Sequence, residues 1–251
     1  MRRIIPLIVA MVIAAGVSAG SAADLPKLRI ATDAFYPPFE SVDPATYQIV
    51  GFDIDLMVEI AKVGGFEVEF VNVPWDGIFV GLDNENYDAI ISAVSITEQR
   101  KDTYGLSKPY YAIYQALVVR KGEAGKYRSL SDLKGKRVGA QIGATASMLV
   151  EKDGNAVLVY YDDNWLAAEG LLRGEVEAIV CDHPLAADFM RTNPAYTGKL
   201  AVTNRRLSSV SEPYGIVVKK GNTKVLDLIN RGLSGLNPGV IPRLEKKWNM
   251  K

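Results

Sequence analysis

The stretch YDAIISAVSITEQR, residues 87–100, places a short apolar run directly before several hydroxyl side chains and one arginine. YDAIISAV predicts a buried strand, and TEQRKDTY predicts a short helix that follows it. In an open α/β sheet, ligands bind beyond the carboxyl ends of the strands. Ser95, Thr97 and Arg100 follow this strand, so they are candidates for a ligand site.

Two other interpretations of the same residues stay open. SITE, residues 95–98, matches a capping box with Ser95 as the N-cap and Glu98 at the third helical position. This does not exclude a ligand role, because a capped helix N-terminus also binds anions. Arg100 could equally be an ordinary exposed helix residue.

Strand-like and helix-like segments alternate on both sides of this stretch. LRIA precedes FDIDLMVEIAKVGG, and EVEFVNV precedes WDGIFVGL. A second series begins near YYAIYQALVVRK and includes RVGAQIG, AVLVYYDD and EAIVCD, each followed by a helical pattern. The alternation predicts an α/β fold with mainly parallel sheets flanked by helices. Two series without a Gly/Ser linker predict two lobes connected by strands that act as a hinge.

The first 23 residues have the pattern of a secretory signal peptide. Arg2 and Arg3 precede the apolar run IIPLIVAMVIAAGV, and SAGSAA supplies small residues for cleavage after Ala23. An uncleaved membrane anchor is the alternative, but the apolar run is short for a membrane span. The sequence contains a single cysteine, Cys181, and none at the cleavage site that could carry a lipid. We therefore expect a protein of the bacterial periplasm.

Composition excludes several classes of function. The 251-residue chain has 29 basic and 29 acidic residues and no basic stripe, so nucleic acid is not an expected partner. One Cys and one His (His183) argue against a structural metal site. No GxSxG elbow or nucleotide-binding glycine motif is present, so neither a catalytic centre nor an organic cofactor is expected.

Polar and aromatic residues follow the other predicted strands as well. They are Asp33 and Tyr36 after LRIA, Trp75 after EVEFVNV, Gln141 and GATAS after RVGA, and Asp182 after EAIV. Each has an alternative interpretation. Asp33 could be a turn residue, Asp182 could cap the next helix, and the two rings could be packing residues.

The motifs TDAFYPPFE, GFDIDLMVEIAK, YDAIISAVSITEQR, KPYY, DLKGKRVGAQIGAT, AIVCDHP and PYGIVVKKG together resemble one family. This family is the extracellular solute-binding proteins of ATP-driven importers, in the group that binds glutamine, histidine or lysine, arginine and ornithine. The resemblance implies a bilobal fold with two hinge strands. Lobe 1 would comprise residues 24–113 and be completed by 212–251, and lobe 2 would comprise 114–211. It also implies a monomer that delivers an L-amino acid to a membrane permease.

The resemblance assigns roles by position. Arg100 would bind the α-carboxylate of the ligand, with help from the backbone around Ser95 and from Thr145. Asp182 would bind the α-ammonium group, near Ser95 and the carbonyl of Ala93. Both charges of a zwitterion need such partners, because desolvating an ion costs several kcal/mol. Since the two partners belong to different lobes, only the closed form satisfies both.

The ligand side chain would then point towards Asp33, Tyr36, Trp75, Ser92 and Gln141. An acid beside two rings favours arginine or lysine, with glutamine and histidine next. An enzyme similar to cyclohexadienyl dehydratase is the alternative function. The sequence argues against it, because CDHP keeps Asp182 and shows no additional glutamate beside it.

Overall fold

The computed structural model describes residues 25–250. The predicted signal peptide lies outside these residues. The strands are β1 Lys27–Thr32, β2 Phe35–Tyr36, β3 Glu40–Val42, β4 Ile49–Val50, β5 Glu67–Asn72, β6 Ala89–Ile90, β7 Gly105–Leu106, β8 Tyr111–Ile113, β9 Gln115–Arg120, β10 Arg137–Gln141, β11 Val157–Tyr161, β12 Ala178–Asp182, β13 Leu200–Asn204, β14 Glu212–Tyr214 and β15 Val217–Val218. The α-helices are α1 Phe52–Gly64, α2 Trp75–Asp83, α3 Glu98–Thr103, α4 Thr145–Asp153, α5 Asn164–Arg173, α6 His183–Thr192, α7 Thr223–Gly235 and α8 Val240–Lys247.

Two five-stranded sheets organise the two lobes and share one topology. Their strand orders are β5-β1-β6-β15-β7 and β11-β10-β12-β9-β13. Within them, β5, β1 and β6 pair in parallel, as do β11, β10 and β12. The predicted two-lobed α/β fold is therefore confirmed. Each sheet is mixed, however, because β15 and β9 run antiparallel to both of their neighbours.

The two antiparallel strands are the ones that the chain enters after crossing between the sheets. The crossings form a two-stranded ribbon in which β8 pairs with β14, with Glu212 opposite Ile113 and Tyr214 opposite Tyr111. The chain continues from β8 into β9 of the second sheet and from β14 into β15 of the first. The lobe boundaries expected at 113/114 and 211/212 lie at the ends of this ribbon, and that division remains a prediction.

The last two helices complete the core of the first sheet. Ile229 of α7 and Leu244 of α8 are fully buried with Leu56 and Ile60 of α1. Helices α7 and α1 approach closely at Gly232, where an added Cβ atom would lie 2.3 Å from the carbonyl oxygen of Ile60. Truncating Ile229 to Ala should cost about 2–5 kcal/mol of folding stability.

Helix α3 does not begin as the capping box predicted. Thr97, not Ser95, is the N-cap, and its Oγ1 accepts the backbone N–H of Arg100 at 3.1 Å. Ser95 forms an antiparallel bridge with Tyr214, so the backbone is still paired at that point and turns into the helix two residues later. Among residues 25–250, no helix is long and apolar enough to cross a membrane.

Candidate ligand-binding site

All ten residues predicted from the sequence surround a single cavity between the two lobes. They are Asp33, Tyr36, Trp75, Ser92, Ala93, Ser95, Arg100, Gln141, Thr145 and Asp182, and Ala144, Ala146, Asn164 and Cys181 complete the lining. Their roles towards a ligand remain predictions.

Strand direction explains why these residues meet. Asp33 follows β1, Ser92 follows β6, Gln141 ends β10 and Asp182 ends β12. In each lobe these strands run in parallel, so their carboxyl ends lie on one edge of the sheet. The cavity lies where the two edges face each other.

Arg100 is buried in the cleft and has no anionic partner among residues 25–250. Its residue surface is only 7% exposed, which contradicts the alternative of an ordinary surface position. The guanidinium donates to the carbonyls of Ser95 at 2.8 Å and Gly143 at 3.2 Å. Its Cζ lies over the rings of Trp75 and Phe79 at 5.4 and 5.3 Å.

Among residues 25–250, no carboxylate oxygen lies within 4.0 Å of a guanidinium nitrogen of Arg100. Burial lowers the pKa of Arg100 to about 10, so the group stays charged at neutral pH. A buried cation whose donors reach only neutral carbonyls is well suited to bind an anion.

Asp182 is the matching buried anion on the other lobe. It is 6% exposed, and its carboxylate accepts from the hydroxyl of Tyr214, from Gln115 Nε2 at 2.6 Å and from the hydroxyl of Tyr36. Burial is the main reason that the pKa of Asp182 is raised to about 6. The described residues place no cation within 4.0 Å of it. Asp182 occupies the N-cap position of α6, but its side chain makes no capping hydrogen bond.

Asp33 is a second acid of the cavity without a cationic partner in residues 25–250. Its carboxylate accepts from the backbone of Trp75, and its carbonyl accepts the N–H of Phe35 at 2.6 Å. Burial raises the pKa of Asp33 to about 6, although the Trp75 bond opposes that rise. The Asp33 side chain thus lines the cavity, while its backbone carbonyl oxygen accepts the hydrogen bond that closes the turn.

The two predicted aromatic platforms have other contacts in this structure. Tyr36 directs its hydroxyl to Asp182. Trp75 packs edge-on against Phe79 at 5.3 Å and lies beside the Arg100 guanidinium. A stacking role towards a ligand side chain therefore remains a prediction for both rings.

Gln141 is held by its own lobe. Its Nε2 donates to the carbonyl of Asp162 at 3.1 Å, and its Oε1 accepts from Asn164 Nδ2 at 2.7 Å. Both ends of the amide are thus engaged, which fixes the side chain as part of the cavity wall.

Contacts across the cleft hold the two lobes together, among them the three that follow. Ser95 Oγ lies 3.3 Å from Thr145 Oγ1, Arg100 reaches the carbonyl of Gly143, and Trp165 Nε1 donates to the carbonyl of Phe35 at 3.0 Å. Each joins a residue beside one sheet to a residue beside the other. The structure is therefore a closed form.

A buried carboxyl pair behind the cavity was missed by the sequence analysis. Ser92 Oγ donates to Glu40 Oε1 at 2.8 Å and accepts the backbone N–H of Asp33 at 3.0 Å. Asp53 Oδ2 accepts from the N–H of Ala93 at 2.8 Å and from the hydroxyl of Tyr110 at 2.7 Å. Ala93 adopts a left-handed conformation with φ of 46°, which this bond to Asp53 helps to hold.

The pair itself requires a proton. Glu40 and Asp53 are both fully buried and in mutual contact, and Glu40 Oε2 and Asp53 Oδ1 find no other donor among residues 25–250. Burial, followed by the charge of Asp53, raises the pKa of Glu40 well above its usual range. One proton held between the two carboxyls satisfies both orphan oxygens. Glu40 and Asp53 belong to TDAFYPPFE and GFDID, so the sequence did contain a signal for them.

The structure also corrects the argument that Asp182 has no glutamate beside it. Glu212 of β14 and Asp182 both accept from Gln115 Nε2, at 3.3 and 2.6 Å. The two acids are 30 residues apart in sequence, and only the return of the chain through the ribbon brings them together. Within the described part of the chain, no group of three His, Cys, Asp or Glu side chains could hold a metal ion.

The fold and the cleft define a two-lobed protein that encloses a small ligand between its lobes. The chain belongs to the bacterial extracellular solute-binding proteins, family 3, whose family model matches residues 28–251. The family assignment made from the sequence is thereby confirmed.

Two curated relatives illustrate the family. The probable histidine-binding protein of Neisseria gonorrhoeae is 35% identical over 82% of this chain and 76% of its own length. The putative ABC transporter arginine-binding protein 2 of Escherichia coli K12 is 32% identical over 92% of this chain and 94% of its own.

Solved structures give the same picture. An ancestral arginine-binding protein bound to arginine superposes with a TM-score of 0.80 at 38% identity, covering 88% of this chain and 97% of that one. The ancestral amino-acid-binding protein AncCDT-1, a precursor of cyclohexadienyl dehydratase, has a TM-score of 0.78 at 32% identity, with 88% and 94% coverage.

Proposed function

We propose that this protein is the periplasmic binding subunit of an ABC importer and that it binds a basic L-amino acid, arginine or lysine before glutamine or histidine. The observation that carries the proposal is the pair formed by Arg100 and Asp182. Both are buried, they lie on opposite lobes, and neither has a partner of opposite charge in residues 25–250.

The α-carboxylate and α-ammonium groups of an amino acid supply the two missing charges. Burying each protein charge alone costs several kcal/mol, and the zwitterion offsets both costs at once through charge-assisted hydrogen bonds. The α-carboxylate gives the Arg100 guanidinium an anionic partner beside the neutral carbonyls of Ser95 and Gly143. This explains recognition of the amino-acid backbone without reference to the side chain.

Asp33 supports the choice of a basic side chain. Its carboxylate lines the same cavity and has no cationic partner among residues 25–250. Burial is the main reason that its pKa is raised, and the negative charges of Asp163 and Asp76 raise it further. A guanidinium or ammonium group placed there gains a counter-ion, whereas a carboxylate would be repelled. The arginine- and histidine-binding names of the relatives agree with a nitrogen-rich ligand.

Closure of the two lobes around the ligand is what the membrane permease would recognise. Since Arg100 and Asp182 belong to different lobes, a bound amino acid stabilises the closed form over the open one. A membrane permease can therefore distinguish the loaded from the empty carrier by shape. Export through the signal peptide at 1–23 and action as a monomer complete the proposal.

A panel of the twenty L-amino acids, measured by calorimetry and by thermal shift, tests the carrier. We expect saturable binding of arginine or lysine and no binding by the Arg100→Ala variant. Arg173→Ala is the matched control, because Arg173 is exposed and pairs with Glu169 and Glu175 at the surface. No response to any of the twenty would overturn the proposal.

One observation favours the enzyme alternative enough to test it. Glu212 beside Asp182 provides a second acid near the cleft, and general acid–base chemistry needs such a group. Glu212 does not line the cavity, however, and is connected to it through the hydroxyl of Ser95. We expect no consumption of prephenate, and measurable turnover that Asp182→Asn abolishes would establish the enzyme instead.

A further inference from the structure

Glu212 stands in an unusual place for a charged side chain. It belongs to β14 of the interlobe ribbon, is partly buried, and has no Lys, Arg or His nitrogen within 4.0 Å among residues 25–250. Its Oε2 accepts from Ser95 Oγ at 3.2 Å and from Gln115 Nε2 at 3.3 Å. Glu212 thus connects the ribbon with one residue beside each sheet.

Three oxygen atoms share the two side-chain N–H hydrogens of Gln115. Its Nε2 carries two hydrogens but lies within bonding distance of Thr145 Oγ1 at 3.1 Å, Asp182 Oδ1 at 2.6 Å and Glu212 Oε2 at 3.3 Å. Ser95 Oγ donates its one hydrogen to Glu212 Oε2 at 3.2 Å and lies 3.3 Å from the hydroxyl of Thr145, which can itself donate to Ser95. Asp182 and Glu212 are therefore joined through the side-chain amide of Gln115, while Asp182 also accepts from Tyr214 and Tyr36.

The Gln115 side chain shows the same imbalance from its other end. The residue is fully buried, and its Oε1 finds no hydrogen-bond donor within the described residues. An ammonium group bound beside Asp182 brings three N–H donors and the positive charge that Asp182 and Glu212 do not receive from residues 25–250.

We propose that Glu212 is a positioning residue of the ammonium end of this site: it orients Ser95 and Gln115 and adds a second negative charge beside Asp182. This inference rests on the proposed function, since it assumes that the ligand is an amino acid. Glu212 acts through its neighbours, because it does not line the cavity itself. The closed cleft is thereby selective for ligands with a free, charged α-amino group.

The charge of Glu212 should have a measurable effect on the ionisation of Asp182. Asp182 is surrounded by Glu212, Arg100, Tyr36, Tyr214 and Cys181, and of these Glu212 raises the pKa of the Asp182 carboxyl by repulsion. Removing that charge lets Asp182 stay ionised to lower pH. A packing role for Glu212 predicts no such change.

The experiment compares the wild type with Glu212→Gln, which keeps the shape and removes the charge. Arginine affinity is measured by calorimetry between pH 4.5 and 8. At pH 7.5 we expect affinity to fall about ten-fold, the usual consequence of losing a charged hydrogen-bond partner. In a plot of affinity against pH, the acid limb, where affinity falls as pH decreases, should also move to lower pH. Glu212→Asp keeps the charge and should retain the wild-type acid limb even if affinity drops.

N-acetylarginine, which lacks the ammonium group, should bind the wild type and Glu212→Gln equally poorly. Glu85→Gln, at an exposed glutamate paired with Lys219, is the matched control and should behave as the wild type. An affinity loss without a shift of the acid limb, or no change at all, would overturn the role of Glu212. If the wild type itself binds no amino acid, the proposed function fails instead.

Discussion

Arg100 and Asp182 face the same cleft from opposite lobes, both nearly inaccessible to solvent, and neither is paired with an opposite charge within residues 25–250. The protein leaves these two charges unpaired at a cost in folding stability, as expected of residues whose partner arrives with the ligand. The consequences can be measured on the free protein as well as on the complex.

Asp182→Asn should lower the affinity for arginine without lowering the stability of the unliganded protein. Losing the carboxylate removes the counter-ion of the α-ammonium group, so arginine affinity should fall at least a hundred-fold, about 3 kcal/mol. The unliganded protein should be no less stable at pH 8, because a buried carboxylate without a counter-ion has been replaced by a neutral group. Calorimetry with and without arginine measures both effects. A variant that binds normally would contradict the role of Asp182.

Asp33→Ala should act on the ligand side chain alone. We expect arginine and lysine to lose about ten-fold or more in affinity and glutamine to lose less, because only the cationic ligands lose a counter-ion. Asp227→Ala, at an exposed position on α7, serves as the control. Equal losses for arginine and glutamine would show that Asp33 shapes the loop rather than selecting the ligand.

Ser92→Ala should lower the stability of the protein by removing the hydroxyl that holds the Asp33 backbone. The Ser92 hydroxyl connects the Asp33 backbone N–H to Glu40, and its loss leaves a buried carboxyl oxygen without that donor. We expect the free energy of unfolding to fall by about 1–3 kcal/mol. Denaturant unfolding measures this, with the exposed Ser131→Ala as the control. If Ser131→Ala destabilises the protein as much, the Ser92 hydroxyl has no special role.

Stability of the unliganded protein should depend on pH through Asp182. Its pKa is about 6 in the folded protein and about 4 in the unfolded chain. Between these values the folded state binds more protons, so this group makes the protein less stable as pH rises from about 4 to about 6. Asp33, with a pKa of about 6, acts in the same direction.

His183 opposes that trend, since partial burial lowers its pKa and disfavours the charged form at low pH. The clean readout is therefore the difference in melting temperature between the wild type and Asp182→Asn from pH 4.5 to 8. We expect the advantage of the variant to appear as pH rises through 4 to 6 and to disappear when saturating arginine supplies the counter-ion. A difference that is constant with pH would refute the assignment.

The sequence was informative wherever a motif is local. The apolar run at 87–94 and the hydroxyls and arginine that follow it are adjacent in the chain, so strand, helix and site candidates could be predicted together. The same reasoning identified Asp33 and Asp182, because Asp33 directly follows β1 and Asp182 is the last residue of β12. The capping box failed because Ser95 pairs with Tyr214, a partner 119 positions away that no local pattern reveals.

Alternation of strands and helices thus determined the class of fold, and the positions after the strands determined which residues face the cleft. Only the tertiary structure decided that each sheet takes an antiparallel strand from the hinge, that Glu40 and Asp53 share a buried contact, and that Glu212 lies beside Asp182. These features join segments far apart in sequence. They depend on how the chain crosses twice between the lobes, and the local preferences of each segment do not encode that path.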